Sequence, residues 1–260
     1  MNTLSELINY RGLLLAFIQR NIKIKYKQTV MGFMWAIFMP IMIVISGIIV
    51  RNAMAMLSGK TVNFAEIASV SVKSLPWAFF IGALKFSVGS LVSNMNILKK
   101  IYFPRVIFPL SYILGQLFDF IIAGVAFSII LALAHIGGSI HLLWLPVLVI
   151  FLILFTAGCG LILSCGNLFY RDVKYIVDVV LTFAIFFTPV FYDAATFGRW
   201  ESLLLLNPIG ALLENINAVV VLHQAPNFFW LTYSGVWGFG LFFAGWFIFH
   251  KAEPSFADKI

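Results

Sequence analysis

Two ionisable residues lie inside apolar runs of the sequence and are the first candidates for chemistry. Lys85 and Asp119 each interrupt a stretch that is long enough to cross a bilayer. A charge in lipid is costly, so each side chain is expected to face a bundle interior or water. We expect the two residues to pair, or one of them to line a transport path. A purely structural ion pair and a lysine that reaches the interface remain open.

Motifs for enzymatic chemistry are missing from the sequence. Ser58–Thr61 resembles the end of a phosphate-binding loop, but Met54 occupies the position of its first glycine. There is no His-Glu-x-x-His, no Gly-x-Ser-x-Gly and no grouping of Asp, Glu and His across neighbouring apolar runs. Cys159 and Cys165 are six residues apart and do not share a helix face. The sequence therefore predicts no catalytic residue, no metal site and no cofactor bound by this chain.

Composition places the chain in a membrane. Of its 260 residues 62% are apolar and 10% are charged, and the mean hydropathy is +1.02. Soluble domains carry about 25% charged residues. The net charge of +7 does not indicate nucleic-acid binding, because the basic residues flank apolar runs, where they set topology. An all-α integral membrane protein with one domain, 1–260, is expected.

Six transmembrane helices are predicted from the need for about 20 apolar residues per crossing. They are placed near 33–50, 75–93, 106–134, 142–166, 175–192 and 229–249. With both termini in the cytoplasm, four of the 17 Lys and Arg residues fall outside, namely Arg51, Lys60, Lys73 and Arg199. Lys85 lies within a span and the other twelve lie inside, which satisfies the positive-inside rule.

The N-terminal segment 1–30 is amphipathic. Leu4, Leu7, Ile8, Leu14 and Ile18 recur at helical spacing, and five Lys or Arg residues follow between positions 11 and 27. This pattern is typical of a helix that lies in the membrane interface. A solvated cytoplasmic helix is the alternative.

The stretch 94–105 is a basic segment between two apolar runs, and Pro104 prevents one helix from passing through it. Its apolar and basic side chains suit a short element that docks onto a motor subunit in the cytoplasm. The predicted coupling residues are Asn96, Ile97, Leu98, Lys99, Lys100, Ile101, Tyr102, Phe103, Pro104 and Arg105.

The segment 193–228 contains apolar pieces that are too short to cross the membrane. Pieces of roughly 10–14 apolar residues are better interpreted as re-entrant or interfacial. Thr188-Pro189 should break the preceding span near its outer end. We expect two short re-entrant helices that form an outer gate with Pro189, Asn207 and Pro208, although an interfacial hairpin without a gating role remains open.

Aromatic side chains suggest a path for a long glycan. Sugar rings stack on aromatic faces, and a moving chain needs sliding contacts instead of one tight site. Trp35, Phe38, Phe187 and Tyr192, together with Lys85, are the predicted path residues. Ordinary packing is the alternative, because aromatic residues are common at membrane interfaces.

Several motifs in one order resemble the ABC-transporter type 2 permeases that export polysaccharides. They are the segments 20–40 and 93–105, then Pro109 and Asp119-Phe120, then 167–173, 188–192, Asn207-Pro208 and 253–258. The resemblance covers nearly the whole chain. It is to the membrane subunits of O-antigen exporters, with teichoic-acid and capsule exporters as relatives.

The resemblance implies a homodimer in the bacterial inner membrane with the glycan path between its copies. Two ATP-binding cassette ATPase subunits would bind ATP and Mg²⁺, and the second inner loop, with Arg171 and Asp172, would join the coupling region. The cargo would be a lipid-linked polysaccharide, and the remaining contacts would be with membrane lipid. Two alternatives are an exporter of a small molecule or lipid in the same superfamily and a membrane enzyme acting on lipid-linked sugars.

Overall fold

The computed structural model describes residues 9–27, 32, 34–57, 63–98, 103–133 and 137–256, and within these ranges the chain is helical with no strand. The α-helices are α1 (Arg11–Tyr26), α2 (Met34–Leu57), α3 (Phe64–Ser93), α4 (Met95–Leu98), α5 (Ile107–Leu133), α6 (Leu145–Phe169), α7 (Asp172–Ala184), α8 (Glu201–Leu205), α9 (Pro208–Val220) and α10 (Phe228–Ala252). Short 3-10 helices occupy Ile140–Trp144, Ala194–Trp200 and Glu253–Phe256. The prediction of an all-helical membrane protein is confirmed.

Five of the described helical segments are long and apolar enough to cross a bilayer. They are α2, α3, α5, α6 with its preceding 3-10 turn, and α10 with its following one. The helix α3 begins at Phe64, well before the predicted start near position 75. Glu66 and Lys73 lower the hydropathy there, but the fold pairs both charges. The assignment of Lys73 to an outer loop was therefore wrong, because this lysine is fully buried within α3.

The fifth predicted span, 175–192, is not one long helix. The helix α7 ends at Ala184, and turns continue the chain to Tyr192. Pro189 supplies no backbone N–H, and its ring would collide with the carbonyl four residues earlier in a continuing helix. The Thr188 hydroxyl instead donates to the Ala184 carbonyl over 2.8 Å. The expected break at Thr188-Pro189 is present.

The centre of the fold is α3, which packs against α2, α5, α6, α7 and α9. The helices α6 and α10 approach closely at two glycines. A Cβ on Gly158 would lie 2.4 Å from the backbone carbonyl carbon of Leu241, and one on Gly245 would lie 2.6 Å from the Gly158 carbonyl oxygen. Gly158 and Gly245 therefore allow the close packing of α6 against α10.

Candidate transport and coupling sites

Five charged residues form an ion cluster at the end of the bundle that carries the 193–228 segment, here called the hairpin end. Lys73 is fully buried, and the other four members are partly buried. The cluster consists of Arg51 of α2, Glu66 and Lys73 of α3, Asp193, and Glu214 of α9. The Arg51 Nε lies 3.0 Å from Glu66 Oε2, and its Nη2 lies 2.6 Å from Asp193 Oδ2. The cluster thus connects α2 and α3 to Asp193 and to α9 of the 193–228 segment.

Lys73 is the centre of the ion cluster. Its Nζ lies 2.8 Å from Asp193 Oδ1 and 3.4 Å from Glu214 Oε1, and it donates to the Tyr192 carbonyl over 2.6 Å. Burial alone would raise the pKa of Asp193, but Lys73 and Arg51 hold that pKa below its ordinary value. Asp193 is therefore a carboxylate at neutral pH. A buried lysine is tolerated here because three acceptors surround its ammonium group.

The predicted gate residues Pro189, Asn207 and Pro208 come together beside the ion cluster. The Asn207 side chain donates to the Thr188 hydroxyl over 2.9 Å and accepts from the Ile209 N–H, which caps α9. Pro208 is the first residue of α9, where a proline costs no helical hydrogen bond. Pro189 packs so close to Gly210 that a Cβ there would lie 2.9 Å from the proline ring. A gating role for these residues stays a prediction.

At the opposite end, here called the α1 end, aromatic rings form the core of the packing. Phe103 is buried between Phe17 of α1 and Phe108 of α5, with ring centroids 5.9 and 5.4 Å away. Phe249 and Phe256 belong to the same hydrophobic cluster, which we call the aromatic cluster. The Arg105 backbone N–H and guanidinium donate to Glu253 over 2.9 and 3.1 Å. The predicted coupling stretch is therefore anchored to both ends of the chain.

The predicted coupling residues have different environments. Leu98, Phe103 and Pro104 are buried inside the chain, so they do not offer a surface to a partner in this conformation. Asn96, Arg171 and Asp172 are exposed, while Ile97 and Arg105 are intermediate. Leu98 and Leu168 share the aromatic cluster, which brings the 94–105 stretch close to the end of α6 that precedes Arg171 and Asp172. Lys99, Lys100, Ile101 and Tyr102 lie outside the described residues.

A cavity of about 550 Å³ lies between α1, α2, α3 and α5. Lys25, Trp35, Lys85, Phe86, Gln116 and Asp119 line its α1 end. Its opposite end is closed by Val44, Leu75, Ala123 and Phe127, which pack together as a buried cluster. Of the predicted path residues, Trp35 and Lys85 line this cavity, and Phe38 contacts Trp35 edge to face. The cavity is thus polar at one end and apolar at the other.

Lys85 and Asp119 line the same cavity but do not pair with each other, so the first of the two alternatives offered by the sequence is not found. Lys85 Nζ lies 3.4 Å from Asp178 Oδ1 of α7. Asp119 pairs with Lys25 and also accepts from the Tyr26 hydroxyl, both from α1. The helix α1 packs along α5 and delivers these two partners. A hydropathy pattern cannot show that the charged helix α1 lies against Asp119 of α5.

The other two predicted path residues, Phe187 and Tyr192, do not line the cavity. Phe187 is exposed on the turn after α7. The Tyr192 hydroxyl donates to the Phe186 carbonyl over 2.9 Å, and its ring contacts Phe197. Their role in a glycan path stays a prediction.

Comparison with known proteins agrees with this architecture. The ABC-2 type transporter family matches residues 12–221. The chain belongs to the ABC-2 type transporter family. It is a multi-pass membrane protein and a transport subunit, not an enzyme, and permeases of this family work with an ATPase partner.

Three relatives match nearly the full chain. The O-antigen export system permease protein RfbA of Myxococcus xanthus is 27% identical over 259 residues, covering 98% of each chain. Two proteins of the same name from Klebsiella pneumoniae are 24% and 23% identical, each covering 95% of this chain and 94% of the relative. The similarity therefore includes α1 and α10, which lie at or beyond the limits of the family match.

Proposed function

We propose that this chain is the permease subunit of an ATP-driven exporter that moves a lipid-linked, O-antigen-like polysaccharide from the cytoplasmic to the outer face of the bacterial inner membrane. The observation that carries this proposal is the similarity, along nearly the whole chain, to three permeases named for O-antigen export. ATP and Mg²⁺ belong to the ATPase partner in this proposal. The chain itself supplies the membrane path.

Residues 172–193 complete a sixth crossing in this proposal. Asp178 pairs with Lys85, and Asp193 pairs with Lys73. The two lysines are twelve residues apart on α3, which corresponds to about 18 Å along the helix. The segment therefore runs alongside α3 from the level of Lys85 to that of Lys73. Six crossings put both termini on one side, which the distribution of Lys and Arg assigns to the cytoplasm.

The path lies between two copies of the chain. The Lys85 and Asp178 side chains are each 41% exposed, although both lie in helices at membrane depth. An exposed ion pair facing lipid is unfavourable. This face is therefore covered by a second copy or opens onto a water-filled path, and the exposed rings of Trp35, Phe38 and Phe187 suit a sliding glycan.

The two ends of the bundle have separate roles in this proposal. The re-entrant helices α8 and α9 form the outer gate, which the ion cluster anchors to α2 and α3. At the α1 end, the 94–105 stretch, with its exposed Asn96, and the loop at Arg171 and Asp172 contact the ATPase. The buried Phe103 transmits movement to α1 and α5 through the aromatic cluster.

ATPase activity in nanodiscs tests the proposed function. The chain is co-expressed with the ATPase encoded beside it, and hydrolysis is measured with and without lipid-linked polysaccharide. Stimulation by the glycan and not by drug-like molecules or by the free lipid carrier is the expected result. Association without stimulation would favour a small-molecule or lipid exporter, and a failure of the two proteins to associate would overturn the proposal. An ATPase variant that cannot hydrolyse ATP is the control.

A further inference from the structure

The cavity between α1, α2, α3 and α5 has the polarity of a lipid-binding site. Its rim residues Lys25, Trp35, Lys85 and Phe86 are between about a third and a half exposed. Its interior is walled by buried apolar side chains, among them Leu75, Phe79 and Ala123. At its closed end, Leu75 and Ala123 pack with Val44 and Phe127 in a buried cluster. The polarity of the cavity matches a molecule with an apolar tail and a charged head.

The depth of the cavity matches one leaflet. Along α3 it extends from Lys85 at the rim to Leu75 at the closed end, ten residues or about 15 Å. Half of a hydrocarbon core of about 30 Å is also about 15 Å. An acyl chain of one leaflet has about this length, so such a chain would fill the cavity along its length.

The charges near the rim favour an anionic head group. The described part of α1 and its flanking residues, 9–27, carries Arg11, Arg20, Lys23, Lys25 and Lys27 and no acidic residue. Asp119 and Asp178 neutralise Lys25 and Lys85. The remaining cations of α1 attract anionic lipids by roughly 1 kcal/mol for each Lys or Arg near the surface. Lys85 is only half-buried, so its ammonium group can also reach a phosphate.

We propose that this cavity binds one acyl chain of an anionic membrane phospholipid, with the head-group phosphate at the rim beside Lys25 and Lys85. The second acyl chain stays in the bilayer. The phospholipid fills the space between α1, α2 and α5 and holds α1 against the membrane surface. This proposal depends on the cavity and not on the identity of the cargo.

Photolabelling tests where the acyl chain lies. The full chain is placed in phosphatidylcholine nanodiscs that contain phosphatidylglycerol with a diazirine at the end of one acyl chain. Labels are expected on residues 75–79 and 120–123, at the closed end. Ala78→Phe fills the cavity and should lower this labelling at least five-fold, whereas Ala65→Phe, an exposed site on the same helix, should leave it unchanged. Ala78→Leu replaces the larger substitution if Ala78→Phe does not give a monodisperse protein.

Absence of labelling at the closed end, or equal labelling of the cavity-filling variant, would overturn the proposal. The head group is tested by the preference for labelled phosphatidylglycerol over labelled phosphatidylcholine. This preference should fall about three-fold in Lys85→Met and should not change in Lys251→Met, an exposed lysine at the end of α10. Displacement of the probe by a polyprenyl phosphate, but not by excess phosphatidylglycerol, would assign the cavity to a cargo carrier and overturn the phospholipid proposal.

Discussion

The hairpin end and the α1 end of the bundle are held together by different interactions, ion pairs at the first and aromatic packing at the second. At each end a connecting segment must be held against the long helices. At the hairpin end Asp193 and Glu214 meet Arg51 and Lys73 in the ion cluster. At the α1 end Phe103 inserts into the aromatic cluster. Ion pairs are directional and depend on every partner, whereas ring packing tolerates small shifts. This difference suits a gate with two defined states at one end and transmitted movement at the other.

Replacing Lys73 should have the largest effect. Lys73→Met removes the central cation of the ion cluster, so the partly buried Glu214 loses this ion pair and the partly buried Asp193 keeps its pair with Arg51. Breaking a buried ion pair in this way costs about 4 kcal/mol. The free energy of unfolding, measured by titration with sodium dodecyl sulfate in mixed micelles, is expected to fall by that amount.

The matched control is Lys23→Met, the same substitution at an exposed site of α1. The double variant Lys73→Met with Asp193→Asn should recover part of the loss, because it removes one charge of each sign. A loss below about 1 kcal/mol for Lys73→Met would show that the ion cluster does not hold the hairpin end.

Truncating Phe103 should have a somewhat smaller effect at the α1 end. Phe103→Ala leaves a void between Phe17 and Phe108, and a buried phenylalanine truncated in this way costs about 3 kcal/mol. The same titration measures the loss, and co-purification measures association with the ATPase. Stability and association are expected to fall together, because Phe103 acts through the fold.

Asn96→Ala, an exposed residue of the same stretch, is the control for Phe103→Ala and should leave stability unchanged. Normal stability of Phe103→Ala with lost association would instead make Phe103 a direct contact with the partner. That outcome would show that the aromatic cluster does not stabilise the α1 end, and the contrast between the two ends would not hold.

The sequence was sufficient for the class of fold and for most helices, because long apolar runs have few other solutions in a membrane. Asn207 and Pro208 were also recognisable, since a helix cap and a first-turn proline are local signals. The ion cluster was missed. A hydropathy scale scores Glu66, Lys73 and Asp193 as unfavourable in a membrane span. The fold instead brings together charges that are up to 163 residues apart in the sequence, from Arg51 to Glu214.

The partners of Lys85 and Asp119 could not be chosen from the sequence for a related reason. Counting residues from the ends of two spans estimates depth but not the direction in which a side chain points around the helix axis. Lys85 turns toward Asp178 on α7, and Asp119 turns toward Lys25 on α1. The partner of a membrane charge depends on helix packing, which hydropathy does not contain.

The packing of α6 against α10 can be tested by enlarging Gly158. Gly158→Ala forces α6 and α10 apart, because its Cβ would lie 2.4 Å from the Leu241 backbone. Overpacking of this kind costs about 2 kcal/mol. Gly240→Ala on α10 is the control, since a Cβ there meets no atom within 4 Å. Equal stability of the two variants would show that the close contact of α6 and α10 is dispensable.

Lys85→Met should change stability least and transport most clearly. Lys85 lies on the same helix as Lys73, but its pair with Asp178 is half exposed at 3.4 Å, so its loss should change the free energy of unfolding by less than about 1 kcal/mol. If this face lines the path, glycan-stimulated ATPase activity should fall several-fold in Lys85→Met and recover in Lys85→Arg. Unchanged activity would remove Lys85 from the path, whereas a loss of stability like that of Lys73→Met would show that a second copy buries the pair. The two substitutions thus distinguish Lys73, which is expected to stabilise the fold, from Lys85, which is expected to act in transport.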